Sequence, residues 1–185
     1  MPERVSVSGL ECRPFVKGTY LLVGASLCGG RAYAGLAHLF EEACRMNGAP
    51  VQKDIMKRMD ATAEAFVLDG QTSEPIADTR FEGTREEPSL RGKITDISLE
   101  NLTVGGLSFA FMKGMCRELY DYYRRIPEQY RKDRILTGGG NGIRNSRIQR
   151  DIIEEMFDCE LVIPENSEEA ACGAAKCVQM ILNRQ

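Results

Sequence analysis

The chain has 185 residues, of which 43% are hydrophobic and 28% are charged, and its formal net charge is −3. This balance fits a compact domain and excludes fibrous and disordered classes, so we predict a single domain over residues 1–185. The slightly acidic charge gives no reason to expect binding to nucleic acid or to an anionic membrane. No apolar run reaches the about 18 residues that span a bilayer, and no signal-peptide pattern is present, so we expect a cytoplasmic protein.

The cysteines and the histidine indicate neither a disulfide framework nor a metal site. There are seven cysteines, an odd number, and no two of them form a CxxC pair. Most lie among apolar residues and are interpreted as small buried hydrophobic side chains. The single histidine, His38, lies in an apolar helical run and is interpreted as a structural or surface residue, not as a general base.

The first half of the chain predicts a hairpin followed by two helices. Residues 10–17 and 19–26 are short runs rich in Val, Leu, Phe and Tyr, which is typical of paired strands. Helical spacing of apolar residues follows from Gly30 to Asn47 and again over residues 51–66. Residues 71–92 contain several Pro and Gly breakers and are predicted to be irregular.

A short strand is then predicted over residues 93–97, and a long helix over residues 104–125. One row of apolar side chains on this helix is spaced by four and is predicted to face the core. The row consists of Leu107, Phe111, Met115 and Leu119.

The last third of the chain predicts a strand at residues 134–137, a glycine loop, a helix over 146–157 and a strand at 159–163. Ser167 is predicted to cap a final helix that reaches about Leu182. A strand, helix and strand in this order imply a parallel pair in an α/β layer.

Two glycine-rich turns are the main candidates for a binding site. Gly138-Gly139-Gly140 follows a strand and leads into a helix, which lets the backbone approach a ligand closely and favours anionic or polar groups. The loop fits neither a Walker loop nor a dinucleotide fingerprint, and a tight turn with positive φ explains it equally well. Gly29-Gly30 repeats the pattern, with a closely packed helix start as the alternative.

Three blocks, in their order and spacing, resemble the C-terminal domain of the FGGY carbohydrate kinases, and most of all the sedoheptulokinase branch. The same details also allow relatives of xylulokinase, ribulokinase or glycerol kinase. The first block is the stretch from Tyr20 to Ala34. The second runs from Phe81 to Arg85 and is followed by residues 91–97 and the helix near 107–120. The third contains Thr137 to Gly140, Val162 to Glu165 and Glu169 to Ala175.

This resemblance implies an α/β, actin-like and ribonuclease-H-like ATPase lobe, with an incomplete mixed sheet flanked by helices. It implies ATP or ADP as the ligand and Mg²⁺ as the metal of the intact enzyme. Gly30 matches a glycine that approaches the nucleotide, and Gly139 and Gly140 match a glycine pair against which adenosine packs. Asn145 matches an asparagine near adenine, whereas Ala34 replaces a glutamine that reaches the nucleotide in glycerol kinases. The candidate nucleotide-binding residues are Gly29, Gly30, Gly138, Gly139, Gly140, Asn141 and Asn145.

In the family, the sugar site, the phosphate loops and the catalytic aspartate belong to segments outside these 185 residues, and the aspartate lies in the N-terminal lobe. The resemblance therefore implies the ATP-binding lobe of a ketose kinase that is inactive alone, with no catalytic or metal-binding residue of its own. The alternative is a non-catalytic nucleotide-binding domain, or a split-gene product that pairs with another chain. Because the first strand of the lobe is absent, we also expect self-association through an uncovered sheet edge.

Overall fold

The computed structural model describes residues 1–51, 53–70, 73–131, 135–166 and 168–182, and the chain forms two compact units. Unit 1 consists of Met1–Ala25 and Asp121–Gln185, and unit 2 consists of Ser26–Tyr120. The helices and strands, in chain order, are β1 (Glu11–Pro14), β2 (Tyr20–Val23), α1 (Gly30–Met46), α2 (Ile55–Leu68), β3 (Ile76–Asp78), β4 (Lys93–Thr95), α3 (Val104–Arg125), β5 (Ile135–Thr137), α4 (Asn141–Asn145), α5 (Arg147–Phe157), β6 (Glu160–Val162) and α6 (Glu169–Leu182), with single 3₁₀ turns at Val16–Gly18 and Glu128–Tyr130.

Unit 1 contains the two predicted strand pairs. Strands β1 and β2 are antiparallel, with Cys12 opposite Leu22, so the predicted hairpin is confirmed. Strands β5 and β6 are parallel, with Leu136 opposite Leu161, as the order of strand and helix predicted. Two details of the predictions, the strand start at residue 134 and the cap at Ser167, lie outside the described residues.

Helix α5 connects the two parallel strands and supplies much of the core of unit 1. Its buried face carries Ile148, Ile152 and Ile153, which follow the helical period. The Ser146 hydroxyl accepts a hydrogen bond from the Gln149 amide at 3.4 Å and caps the helix start. The helix ends where the backbone turns left-handed at Asp158, with φ of 49°.

Unit 2 is built around α1, α2 and α3, with the small antiparallel pair of β3 and β4. The Tyr33 hydroxyl donates to Asp60 Oδ1 at 2.8 Å and joins α1 to α2. Burial, together with this carboxylate, raises the pKa of Tyr33 well above its ordinary value. Strand β3 lies in the stretch that was predicted to be irregular, and that part of the prediction is wrong.

Helix α3 has the predicted bounds, but of the predicted apolar row only Phe111 is fully buried. Leu119 is 45% exposed, whereas Ser108, Met112 and Cys116 are almost fully buried. The reason lies in the glycines of the helix, because an added Cβ at Gly114 would lie 2.3 Å from the Ala77 carbonyl oxygen. Neighbouring backbone therefore approaches α3 on its small-residue side, which turns most of the predicted apolar row away from the centre of the core.

The α/β class is confirmed, and the described strands form three separate two-stranded sheets, two antiparallel and one parallel. Each of these strands consequently has one edge without a strand neighbour among the described residues. All seven cysteines are free, and Cys28, Cys116 and Cys159 are buried while the other four are partly exposed. Among the described helices, none is long and apolar enough to cross a membrane.

Candidate functional site

The turn before α1 places two glycines in different roles. Gly29 has φ of 45° and ψ of −130°, a backbone conformation that only glycine adopts without strain. Gly30 is the first residue of α1 and is exposed, and a Cβ added to it would meet no atom within 4 Å. Packing thus gives no reason for the glycine at this position, and its backbone is open to a ligand.

The hydrogen bonds of this turn leave one backbone amide open. The amides of Arg31 and Ala32 donate to the carbonyl oxygens of Cys28 and Gly29 at 2.9 and 3.1 Å. The Gly29 amide donates to the Ser26 hydroxyl oxygen. Within the described part of the chain, the Gly30 amide has no acceptor. An amide in this position at a helix start is available to a polar or anionic ligand atom.

A carboxylate on α3 is linked to this turn by hydrogen bonds through Ser26. The Ser26 hydroxyl accepts from the Gly29 amide at 2.8 Å and donates to Glu118 Oε2 at 2.7 Å. Glu118 is only 7% exposed. Sequence reasoning missed both residues, although a serine three positions before Gly29 is a signal for a side-chain-closed turn.

The thiol beside this turn stays neutral. Burial raises the pKa of Cys28, and the nearby carboxylate of Glu82 acts in the same direction. A thiol with a raised pKa is a poor nucleophile, so this position serves packing and not covalent chemistry.

The second glycine turn, Gly138-Gly139-Gly140, continues from β5, and its first residue is held by packing. The Gly138 amide donates to the Val162 carbonyl oxygen at 3.0 Å, which extends the parallel pair. A Cβ at Gly138 would lie 3.0 Å from Leu161 and 3.1 Å from Ile143, so close packing favours glycine at this position. Gly140 has φ of 93° and starts α4. The tight-turn explanation therefore accounts for Gly140, and close packing accounts for Gly138.

Gly139 lies between these two residues and is exposed. The atoms nearest to a Cβ built on it belong to the Glu169 side chain, at 3.4 to 3.6 Å, which is ordinary contact distance. Neither packing nor backbone conformation requires glycine at this position. In this respect Gly139 is the counterpart in unit 1 of Gly30 in unit 2.

Arg144 ties the end of α4 to the segment that precedes α6. Its guanidinium donates to the carbonyl oxygens of Pro164 at 2.8 Å and Asn166 at 3.0 Å, and to Glu169 Oε1 at 2.6 Å. Arg150 donates to the Ile143 and Arg144 carbonyl oxygens at 3.1 and 2.8 Å. These bonds hold the short helix after the glycine turn in one position.

The charge beside this turn comes from the Glu169 carboxylate and its partner Arg144. The amide of Glu169 itself, at the start of α6, holds the pKa of the Glu169 carboxyl below its ordinary value, and the Arg144 guanidinium and the Gly140 amide lower it further. The carboxylate is therefore ionised at neutral pH and lies beside Gly139. Because this carboxylate is paired with the Arg144 guanidinium at 2.6 Å, the two charges offset each other and give the turn no net positive charge that would attract phosphate.

The structure brings the predicted residues together in two groups, one in each unit. Asn141 and Asn145 are the first and last residues of α4, both are exposed, and neither side chain hydrogen-bonds to another described residue. Gly29 and Gly30 belong to unit 2, and the residues of unit 1 are Gly138, Gly139, Gly140, Asn141 and Asn145.

The described residues offer no cluster suited to a metal ion. Nowhere among them do three or more His, Cys, Asp or Glu side chains gather in a way that could hold one. Mg²⁺ prefers oxygen ligands from carboxylates, water and substrate phosphates. The described residues therefore do not fit a protein-held Mg²⁺.

Comparison with known proteins gives relatives by sequence, although no protein-family model matches the chain. Sedoheptulokinase from Homo sapiens is 25% identical over 167 residues, which cover 88% of this chain and 33% of the human protein. Sedoheptulokinase from Mus musculus is also 25% identical, over 166 residues with the same shares. The chain therefore spans about a third of the length of the curated relatives it matches.

Solved structures show the same fold. Gluconate kinase from Lactobacillus acidophilus matches all of this chain and 36% of its own chain, with a TM-score of 0.76 and 17% identity. Xylulose kinase from Bifidobacterium adolescentis matches 97% of this chain and 33% of its own, with a TM-score of 0.72 and 17% identity. The predicted actin-like ATPase fold is confirmed, and so is the resemblance to a C-terminal segment of FGGY carbohydrate kinases.

Proposed function

We propose that this chain is most of the ATP-binding lobe of a carbohydrate kinase that phosphorylates a ketose with Mg-ATP. The likeness to sedoheptulokinase and the fold of the sugar kinases support this proposal. The observation that carries it is the open backbone of Gly30, whose amide has no acceptor among the described residues and whose Cβ position is empty.

In this proposal each glycine turn, taken by itself within its own unit, is a nucleotide-binding element. The Gly30 amide donates to a polar or anionic atom of the nucleotide. Gly139 and Gly140 give adenosine a backbone surface without side chains, and the Glu169–Arg144 ion pair beside them adds no net positive charge that would attract phosphate. The exposed amide side chains of Asn141 and Asn145 provide donors and acceptors for the base.

The chain by itself does not transfer the phosphoryl group in this proposal. Transfer requires an oriented hydroxyl, an acceptor for its proton, and phosphates and metal held in line. The described residues provide no cluster for the metal, and none of the candidate site residues is a carboxylate that could accept the proton. The base and the sugar site come from the N-terminal lobe, and Mg²⁺ arrives with the phosphates of the nucleotide.

Calorimetry on the full chain tests nucleotide binding. We expect ATP and ADP to bind in the presence of Mg²⁺, and we expect Gly30→Val to weaken both by about tenfold or more, because its side chain occupies the open space at the backbone. Gly35→Val is the matched control, since Gly35 also lies on α1 with no atom within 4 Å of its Cβ position. Absence of binding at millimolar nucleotide, or equal affinity of the two variants, would contradict the proposal.

Activity is tested by adding a separately expressed N-terminal lobe of a sedoheptulokinase to the chain. ADP release is then measured with ATP and a panel of ketoses and polyols. Phosphorylation of a ketose by the mixture, and by neither part alone, is the expected result. If no sugar in the panel is phosphorylated although nucleotide binds, the kinase part of the proposal fails.

The alternative is a non-catalytic module that pairs with another chain, and the open strand edges favour it. Ile76 on β3 and Ile135 on β5 are both 58% exposed, and each described strand has a neighbour on one side only. Open apolar edges tend to pair with another chain. Light scattering over a range of concentrations should therefore show self-association, and a monomer at high concentration would count against it.

A further inference from the structure

Glu118 is a buried carboxylate that the nucleotide contacts proposed above do not use. It lies near the end of the unit 2 part of α3 and receives a hydrogen bond from Ser26, 92 positions earlier in the chain. Unit 2 begins at Ser26 and ends at Tyr120, so this bond joins its two ends. We propose that Glu118 is a positioning residue: through Ser26 it holds the Gly29 amide inside the turn and leaves the Gly30 amide as the one open to nucleotide. This inference rests on the proposed nucleotide binding.

The direction of the hydrogen bonds follows from the chemistry of the three groups. An ionised carboxylate only accepts hydrogen bonds, and a serine hydroxyl has a single proton to donate. Because Ser26 gives that proton to Glu118 at 2.7 Å, its lone pairs remain for the Gly29 amide at 2.8 Å. The order from amide to hydroxyl to carboxylate is therefore fixed in one direction.

The backbone of Gly29 needs such support. Its φ of 45° and ψ of −130° are open to glycine, but glycine has many other conformations available, so a hydrogen bond is needed to select this one. Without Glu118, the Ser26 hydroxyl can rotate to its other staggered positions and release the amide. The Gly29 amide would then turn toward solvent, and the start of α1 would lose the single arrangement in which Gly30 is the free donor.

Packing alone does not explain why the buried residue at position 118 is a glutamate. Removing a carboxylate from water costs free energy, and an apolar side chain of similar volume would fill the same space without that cost. The described hydrogen bond of Glu118 goes to Ser26 alone. What the carboxylate does beyond filling space is therefore to orient this hydroxyl.

The test compares Glu118→Met, Glu118→Gln, Ser26→Ala and Ser26→Thr in the full chain. Hydrogen exchange of the Gly29 amide is measured by NMR without nucleotide, and ADP affinity by calorimetry. We expect Glu118→Met and Ser26→Ala each to speed the exchange of the Gly29 amide and to lower the affinity for ADP by about tenfold. The double variant should be no worse than either single one. Ser26→Thr keeps the hydroxyl and should retain the wild-type exchange rate and ADP affinity. Glu118→Gln has a carbonyl that can still accept, and its values should lie between those of the wild type and Glu118→Met.

Each result decides the inference. The inference is wrong if the Gly29 amide of Glu118→Met exchanges at the wild-type rate, or if the losses of ADP affinity add in the double variant. It is also wrong if Glu118→Met lowers the melting temperature but leaves the ADP affinity unchanged. If the wild-type chain binds no ADP, the proposed function fails, while the exchange data still show whether Glu118 positions the turn. If Glu118→Met does not fold, Glu118→Gln and the two Ser26 variants give the same comparison.

Discussion

Arg144 Nη2 lies 2.6 Å from Glu169 Oε1, and this pair connects the end of α4 to the first turn of α6. Both side chains are about three-quarters removed from solvent, which strengthens their interaction relative to a surface pair. The same guanidinium also holds two carbonyl oxygens of the segment before α6. Arg144 is therefore one of the main anchors of the helix that follows the second glycine turn.

Arg144→Met is expected to destabilise the chain by about 1–3 kcal/mol, because two carbonyl oxygens and a carboxylate lose a charged donor. The free energy of unfolding is measured by urea titration. Arg147→Met is the control, since its side chain is 79% exposed and is 3.8 Å from Asp151, and we expect a change within about 0.5 kcal/mol. Equal effects of the two variants would show that Arg144 does not anchor the segment.

Acid should weaken the chain partly through Glu169. Because its folded-state pKa lies below the ordinary value of 4.5, its contribution to stability is complete above that value and is lost as the pH falls through the folded-state pKa. The urea midpoint of the wild type should consequently fall more steeply between about pH 5 and pH 3 than that of Glu169→Gln. Parallel pH profiles of the two proteins would contradict this assignment.

Alanine substitutions at two glycines of the second turn should have different effects, one on stability and the other on nucleotide binding. Gly138→Ala places a Cβ 3.0 Å from Leu161 and should destabilise the chain by about 1–3 kcal/mol. In Gly139→Ala the added Cβ makes only ordinary van der Waals contacts, so the melting temperature should stay nearly unchanged while the affinity for ATP falls. Thermal melting and calorimetry on both variants check this, and a large loss of stability in Gly139→Ala would be the contrary result.

Two methionines of α2 form a matched pair for the core of unit 2. Met59 is 1% exposed, and Met59→Ala should cost about 2–5 kcal/mol through lost burial and a residual cavity. Met56 lies on the same helix but is 46% exposed, so Met56→Ala should cost much less. Chemical denaturation of the two variants measures the difference, and similar midpoints would show that α2 does not pack as described.

Two helical glycines should respond to alanine with opposite signs. Gly114→Ala would bring a Cβ to 2.3 Å from the Ala77 carbonyl oxygen and should strongly destabilise unit 2. Gly173 lies in α6 with no atom within 4 Å of its Cβ position, and Gly173→Ala should stabilise by about 1 kcal/mol through helix propensity. Melting temperatures that moved in the same direction would contradict these packing assignments.

Local patterns in the sequence were sufficient for most of the helices and strands. Helix α3 has the predicted bounds, Val104 to Arg125, because its apolar period is unbroken and a proline follows closely. The parallel arrangement of β5 and β6 followed from the helix between them. The buried face of α3 was predicted correctly only at Phe111, because glycine packing depends on neighbours from β3 and α2 that a single-segment pattern does not contain. Strand β3 was missed because it has only three residues and pairs with β4 across an irregular segment rich in Pro and Gly, so no local alternation marks it.

The candidate site was predictable only in part. Glycine turns are visible in the sequence, and both are present at the predicted positions. The side chains that support them were not predictable, since Ser26 meets Glu118, and Arg144 meets Glu169, across 92 and 25 positions. Such pairs depend on tertiary packing, and periodicity within one segment carries no signal for them.

The division of unit 1 into two chain segments has a consequence for how the protein is made. The Tyr20 amide bonds to the Met1 carbonyl oxygen, but Arg125 and Tyr130, which bond to Ser8 and Glu3, are translated much later. On the ribosome, the continuous segment Ser26–Tyr120 is complete before the second half of unit 1 emerges. The β1–β2 hairpin must therefore wait for its partners, and during that interval a chaperone that covers its edges would protect it from joining a neighbouring nascent chain.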